Sequence, residues 1–121
     1  MMSCRQVLDQ GALQELRDVA GDQLSVVLSD FLVNGKRHEN RLLHSRNVRD
    51  WDTFAKVTHD IKGAYGYLGA THLLEHCMCM LRLVKEESAN EQQLMDTSLS
   101  LIAEFQDVRA ELSHLVAPQT A

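Results

Sequence analysis

The chain has 121 residues, 12 Lys and Arg against 17 Asp and Glu, and a formal net charge of −5. That length fills one hydrophobic core but not two, so a single domain over 1–121 is expected, with 1–6 and 117–121 frayed. The acid excess argues against nucleic acid as the main partner, because phosphate backbones ask for a basic face.

No apolar run approaches the roughly 20 residues that span a bilayer, and Met1 to Gln6 lack the apolar stretch of a signal peptide. No membrane partner and a cytoplasmic location are therefore expected, and the initial methionine leans toward a free-standing protein. One proline and few aromatics, with abundant Leu, Val, Glu and Gln, favour an all-α chain. Cys4, Cys77 and Cys79 form neither an even disulfide framework nor a C-x-x-C pair, and Cys77 reads as a small core residue.

In chain order, Asp9 is the N-cap expected for a short first helix bearing Leu13, Leu16 and Val19, which stops at Ala20-Gly21. Its narrow stripe suits a cover over one end of a bundle. Asp22 is expected to cap the second helix, where Leu24, Val27, Leu28, Phe31 and Leu32 recur at three-and-four spacing and the pattern resumes at Leu42 and Leu43. Between them, Gly35 to Arg41 reads as a solvated face of the same helix, or alternatively as a basic docking patch. A turn near Asn47 to Asp50 leads to a third helix, capped by Asp50, entered at Trp51 and stopped near Leu68-Gly69. Thr71 is expected to cap a fourth helix reaching Lys85 or Glu86, apolar nearly all round from Cys77 to Val84. Asn90 then caps a last long helix with the stripe Leu94, Leu101, Phe105, Val108, Leu112 and Leu115, close to a heptad seam. Four long helices with short connections predict an antiparallel up-down-up-down four-helix bundle, with the short N-terminal helix laid over one end.

The third helix carries the chemistry. Wound at about 100° per residue, it places Val57, Ile61, Ala64 and Leu68 roughly opposite His59, so the imidazole points away from the core. Ala55, Gly63 and Gly66 share its outward face, with Lys56 and Lys62 on the flanks. Each mid-helix glycine should cost about 1 kcal/mol against alanine, and on a solvent face close packing within the chain cannot be the reason. Something from outside comes close to His59.

An exposed neutral imidazole offers a nucleophilic lone pair near neutral pH and can accept a phosphoryl group. Lys62, one turn on, can set its ammonium beside the transferring oxygens. The helix supplies no general base, no ATP loop and no acid cluster for Mg²⁺, so the chain is expected to receive and pass on phosphate without kinase activity of its own.

These residues carry a resemblance. His59-Asp60-Ile61-Lys62-Gly63-Ala64-Tyr65-Gly66-Tyr67-Leu68-Gly69 is similar to the H-x-x-K-G-x-x-G-x-x-G signature of histidine-containing phosphotransfer domains of bacterial multistep phosphorelays. The likeness extends upstream through Val7 to Leu32 and downstream through Leu73-Leu74 to Cys77, while the last helix matches only in pattern. The resemblance implies that His59 takes phosphate from a receiver-domain aspartate and passes it to another, with Lys62 assisting and Gly63 and Gly66 admitting the receiver. The implied partners are response-regulator receiver domains and a hybrid sensor histidine kinase. Mg²⁺ belongs to the receiver, and this chain is expected to bind no cofactor. Two positions depart from the family pattern. Leu81 stands where many members have a Glu or Gln that holds the non-reacting ring nitrogen, and Thr58 precedes the histidine where alanine is frequent.

Two other readings compete. One is a helical docking module that binds receiver or kinase domains around Ala55, Gly63 and Met78 to Leu81 without carrying phosphate. The other is a metal site using His72 and His76, spaced i, i+4, with a cysteine; no second ligand pair is evident on another helix, and no metal is expected.

Overall fold

The computed structural model describes residues 7–116, and the expected fraying of 1–6 and 117–121 lies outside them. Among the described residues the helices are α1 (Gln10–Ala20), α2 (Leu24–Asn47), α3 (Trp51–Tyr65), α4 (Thr71–Lys85) and α5 (Glu91–Val116), with 3₁₀ turns at Gly21–Gln23 and Gly66–Leu68. Helix α2 packs on α3 and α5, and α4 packs on α3 and α5, so the four long helices close a ring. Connections of a few residues force neighbours to run antiparallel, which gives the expected up-down-up-down bundle. The short α1 rests on the Gly66–Leu68 turn and on α2.

Local chemistry explains most of the boundaries. The Asp9 carboxylate accepts from the Ala12 amide at 2.9 Å, and Asp50 accepts from the Thr53 amide at 3.1 Å. Asn90 and Gln93 exchange amide-to-side-chain hydrogen bonds in both directions, at 2.9 and 2.8 Å, closing a reciprocal cap. Helix α3 ends earlier than expected, at Tyr65, and tightens through the 3₁₀ turn to Gly69. Gly69 has φ +65, and a Cβ there would run into Asp9 Cβ. Its carbonyl accepts from the Asp9 amide at 3.1 Å, which pins the start of α1 to the end of α3.

Two expected caps do not form. Asp22 lies inside the 3₁₀ turn, and Gln23, at the N-cap position of α2, makes no side-chain cap bond. Thr71 is already the first residue of α4, behind Ala70. Asp22 is taken up by the 3₁₀ turn that continues α1, while Ala70 takes the cap position of α4 and leaves Thr71 one residue inside the helix. Val19 is another departure, being 87 % exposed rather than part of the α1 stripe.

The core is drawn from Leu28 and Leu42 on α2, Phe54, Val57, Ile61 and Tyr65 on α3, Leu73, Cys77 and Met80 on α4, and Leu101, Phe105, Val108 and Leu112 on α5. Trp51 is half-buried and packs edge-on against Phe54, with ring centroids 5.7 Å apart. Tyr65 stands at the centre of one seam, edge-on to Phe31 at 5.1 Å and to Phe105 at 5.2 Å. Its hydroxyl donates to the Phe31 carbonyl at 3.2 Å, and burial pushes the phenol up to about 12.

The segment Gly35 to Arg41 is not uniformly solvated. Gly35 is buried, and Glu39 turns inward to pair with Arg109 while accepting from Gln106 at 2.8 Å. A Cβ on Gly35 would stand 2.9 Å from the Tyr65 hydroxyl and 3.0 Å from Arg109 Nε. The glycine therefore lets α2 approach α3 and α5, a close contact that exposed-looking neighbours conceal in the sequence. Gly35→Val should force the tyrosine or the Arg109–Glu39 pair to move and cost about 2 kcal/mol of stability, read as a lowered midpoint in urea denaturation with an unchanged slope.

Candidate functional site

The burial of α3 sets the site. Phe54, Val57, Thr58, Ile61 and Tyr65 are buried. Thr58 enters the core without an orphaned hydroxyl, because its Oγ1 donates to the Phe54 carbonyl at 2.8 Å. One residue further round the helix, His59 is exposed, as are Lys56, Lys62, Gly63 and Gly66, while Ala55 is half-buried.

His59 and Lys62 line a shallow depression of about 490 Å³ together with Met78, Leu81, Arg82 and Lys85 of α4. Lys62 leans toward α4: its charge opposes the effect of burial on Cys77, whose thiol is nevertheless pushed up to about 12. That thiol is buried and protonated, as expected of a core cysteine. Leu81 lines this depression with His59, and its side chain offers the ring no hydrogen bond. Among the described residues no hydrogen bond to the His59 ring is present, and neither Arg82 nor Lys85 has an ion-pair partner.

Helix periodicity alone does not mark Arg82 and Lys85. The signal was available in the antiparallel pairing of α3 with α4. Once Leu81 is placed opposite His59, Met78, Arg82 and Lys85 follow on the same face at three-and-four spacing. The result is a histidine at the edge of a cationic groove, with Met78, 51 % exposed, as its apolar wall.

The remaining candidates fall around this groove rather than in it. A Cβ on Gly63 or Gly66 would meet nothing within 4 Å, so both leave the outward face of α3 bare. Gly66 also borders an apolar notch of about 420 Å³ with Ala12, Glu15, Leu16, Val19 and Tyr67. Lys56 sits nearer the Asp50 cap. The Asp50 carboxyl is held below its usual range first by the Thr53 hydroxyl and amide and then, more weakly, by Lys56 and His44. On the α2 side, His38 is lowered by burial, against the opposing pull of Asp60. His72 turns to Glu75 at 3.5 Å. Among the described residues no three His, Cys, Asp or Glu side chains gather as a metal site.

The family model of the Hpt domain matches residues 26–117. The chain is similar to histidine-containing phosphotransfer protein B (HptB) from Pseudomonas aeruginosa PAO1, whose crystal structure superposes with a TM-score of 0.79 at 21 % identity over 94 % of this chain and 96 % of that one. No curated protein matches the chain significantly. The family match covers well over half the sequence, and the chain belongs to the Hpt domain family. Its function is histidine-containing phosphotransfer in a phosphorelay, and its partners are other phosphorelay components, such as receiver domains and kinases. Among the described residues no helix is long and apolar enough to cross a membrane.

The open space at Gly63 has a consequence for stability. Gly63→Ala should raise the unfolding free energy by about 0.5–1 kcal/mol through helix propensity alone, measured by urea denaturation. A loss of stability would mean that this face packs on something within the chain.

Proposed function

We propose that His59 is the phosphoacceptor of this domain, with Lys62, Arg82 and Lys85 as the cations that receive the phosphoryl oxygens. The observation that carries the reading is the exposed imidazole, free of hydrogen bonds among the described residues, at the edge of a groove whose charged lining is entirely basic. In the transfer, a ring nitrogen of neutral His59 attacks phosphorus. The N–P bond forms as the O–P bond of a receiver's aspartyl phosphate breaks, and the aspartate leaves as a carboxylate. The positive charge gained by the ring is discharged when its other nitrogen gives a proton to water. Reversal onto a second receiver returns the imidazole.

The three cations favour the transition state because charge is spread over the equatorial oxygens of the moving group. Mg²⁺ is assigned to the receiver's acidic pocket, and no cofactor is assigned to this chain. The partners that fit are response-regulator receiver domains and a hybrid sensor histidine kinase, meeting this protein in the cytoplasm. Docking uses the outward face of α3, where Ala55, Gly63 and Gly66 admit a close approach and Lys56 and Lys62 meet the receiver's acids.

Incubation with a phosphorylated receiver and Mg²⁺ should label the protein with an acid-labile, base-stable phosphate. His59→Gln should remove that label and leave the helical circular dichroism unchanged. Label retained in this variant would put the acceptor elsewhere, and receiver binding without any label in the unmodified protein would favour the docking-module reading. Lys62→Ala should slow transfer by about tenfold or more. Gly63→Leu should slow it to a similar extent by blocking approach, both read by rapid-quench single-turnover transfer.

A further inference from the structure

A second charged surface lies on the other flank of α3. Lys36, Arg37, Asn40, Arg41 and His44 of α2, with Thr53 of α3, line a depression of about 520 Å³ that shares no residue with the His59 groove. Lys36, Asn40 and His44 follow one another at i, i+4, and Arg37 and Arg41 form a parallel row, so the strip runs about 12 Å along the helix.

Acids outnumber bases in this chain, 17 to 12, yet among the described residues no acid forms an ion pair with a cation of this strip. Arg46, Arg49 and Arg109 are all held: Arg46 by Ser98 and the Met95 carbonyl, Arg49 by Glu91, and Arg109 by Glu39. Among the described residues Lys36, Arg37 and Arg41 make no side-chain hydrogen bond or ion pair. Arg37 and Arg41 are one turn apart, an arrangement that repels. Glu39, within reach of Lys36 along the helix, is turned away to Arg109 and Gln106. From α3, Asp60 acts on His38, and Asp50 is bonded to Thr53 with His44 at longer range. An external negative charge is what would relieve the strip.

We propose that the Lys36–His44 face of α2 is a second docking surface, which receives a carboxylate-rich segment of a partner protein. Charge complementarity selects the occupant. A strip of two turns on a chain of net charge −5 suits a short acidic peptide better than a polyphosphate backbone or an anionic bilayer, both of which the remaining acids repel over a wider area. Among the described residues the lining holds neither an aliphatic residue to enter a bilayer nor a Phe, Tyr or Trp on which bases could stack. Asn40 supplies a neutral hydrogen-bond donor between the cations, whereas the Thr53 hydroxyl already donates to Asp50. The surface is independent of the role given to His59.

The test is a titration of the ¹⁵N-labelled protein with a hexaglutamate peptide, followed by two-dimensional NMR, in parallel with His59→Gln protein. Amide shifts should cluster at Lys36 to His44 and at Thr53, equally in both proteins. Affinity should weaken by roughly tenfold on going from low to physiological salt. A variant carrying Lys36→Ala, Arg37→Ala and Arg41→Ala, all exposed helix positions, should lose at least about tenfold in affinity. Shifts confined to Lys62, Arg82 and Lys85, no shifts at all, or tighter binding of an oligothymidylate or of phosphatidylglycerol vesicles at the strip would each overturn the proposal.

Discussion

The rotational phase of α3 is the constraint on which the site depends. Phe54, Val57, Ile61 and Tyr65 are buried on one side of it, and each contributes about 1.5–3 kcal/mol when removed from water. Turning the helix by one residue, about 100°, would draw part of that surface into solvent and press His59 toward the core. Thr58 and His59 show how sharp the division is, since one is buried and its neighbour exposed. The exposure of the imidazole is thus a property of the apolar residues behind it.

That phase is locked at both ends of α3. At its start, Asp50 closes the first turn on Thr53, and Trp51 packs on Phe54. At its end, Tyr65 is wedged between Phe31 and Phe105 and bonded to the α2 backbone. Gly35 allows that wedge, and the Arg109–Glu39 pair closes over it from α5. A largely buried ion pair adds little net stability by itself. Its position nonetheless ties α2 to α5 beside the residue that ends the functional helix.

What could be read from the sequence follows from how local each determinant is. Helix periodicity, the caps at Asp9, Asp50 and Asn90, and the outward phase of His59 depend on neighbours within a turn or two, and all were legible. Asp22 and Thr71 carry good capping chemistry but sit where a 3₁₀ turn or the preceding glycine already directs the chain. Gly35 looked like part of a polar surface because its partners, Tyr65 and Arg109, are far along the chain. Arg82 and Lys85 remained hidden for the same reason: their significance appears only when α4 is laid against α3. The family motif marks one helix, and the groove is made by two.

Leu81 brings these strands together. The family resemblance implies a polar side chain there that holds the ring, whereas leucine lines the groove and accepts nothing. The cations around it act differently from a hydrogen-bonding partner, because they interact weakly with a neutral imidazole and strongly with an anion. Lys62, Arg82 and Lys85 share one depression whose lining, among the described residues, holds no acid, an arrangement with residual repulsion while the groove is empty. If His59 carries the phosphoryl group, that repulsion is relieved only in the charged state and in the transition states leading to and from it. The groove then favours the phosphorylated protein through charge, where a polar residue at position 81 would favour a ring orientation.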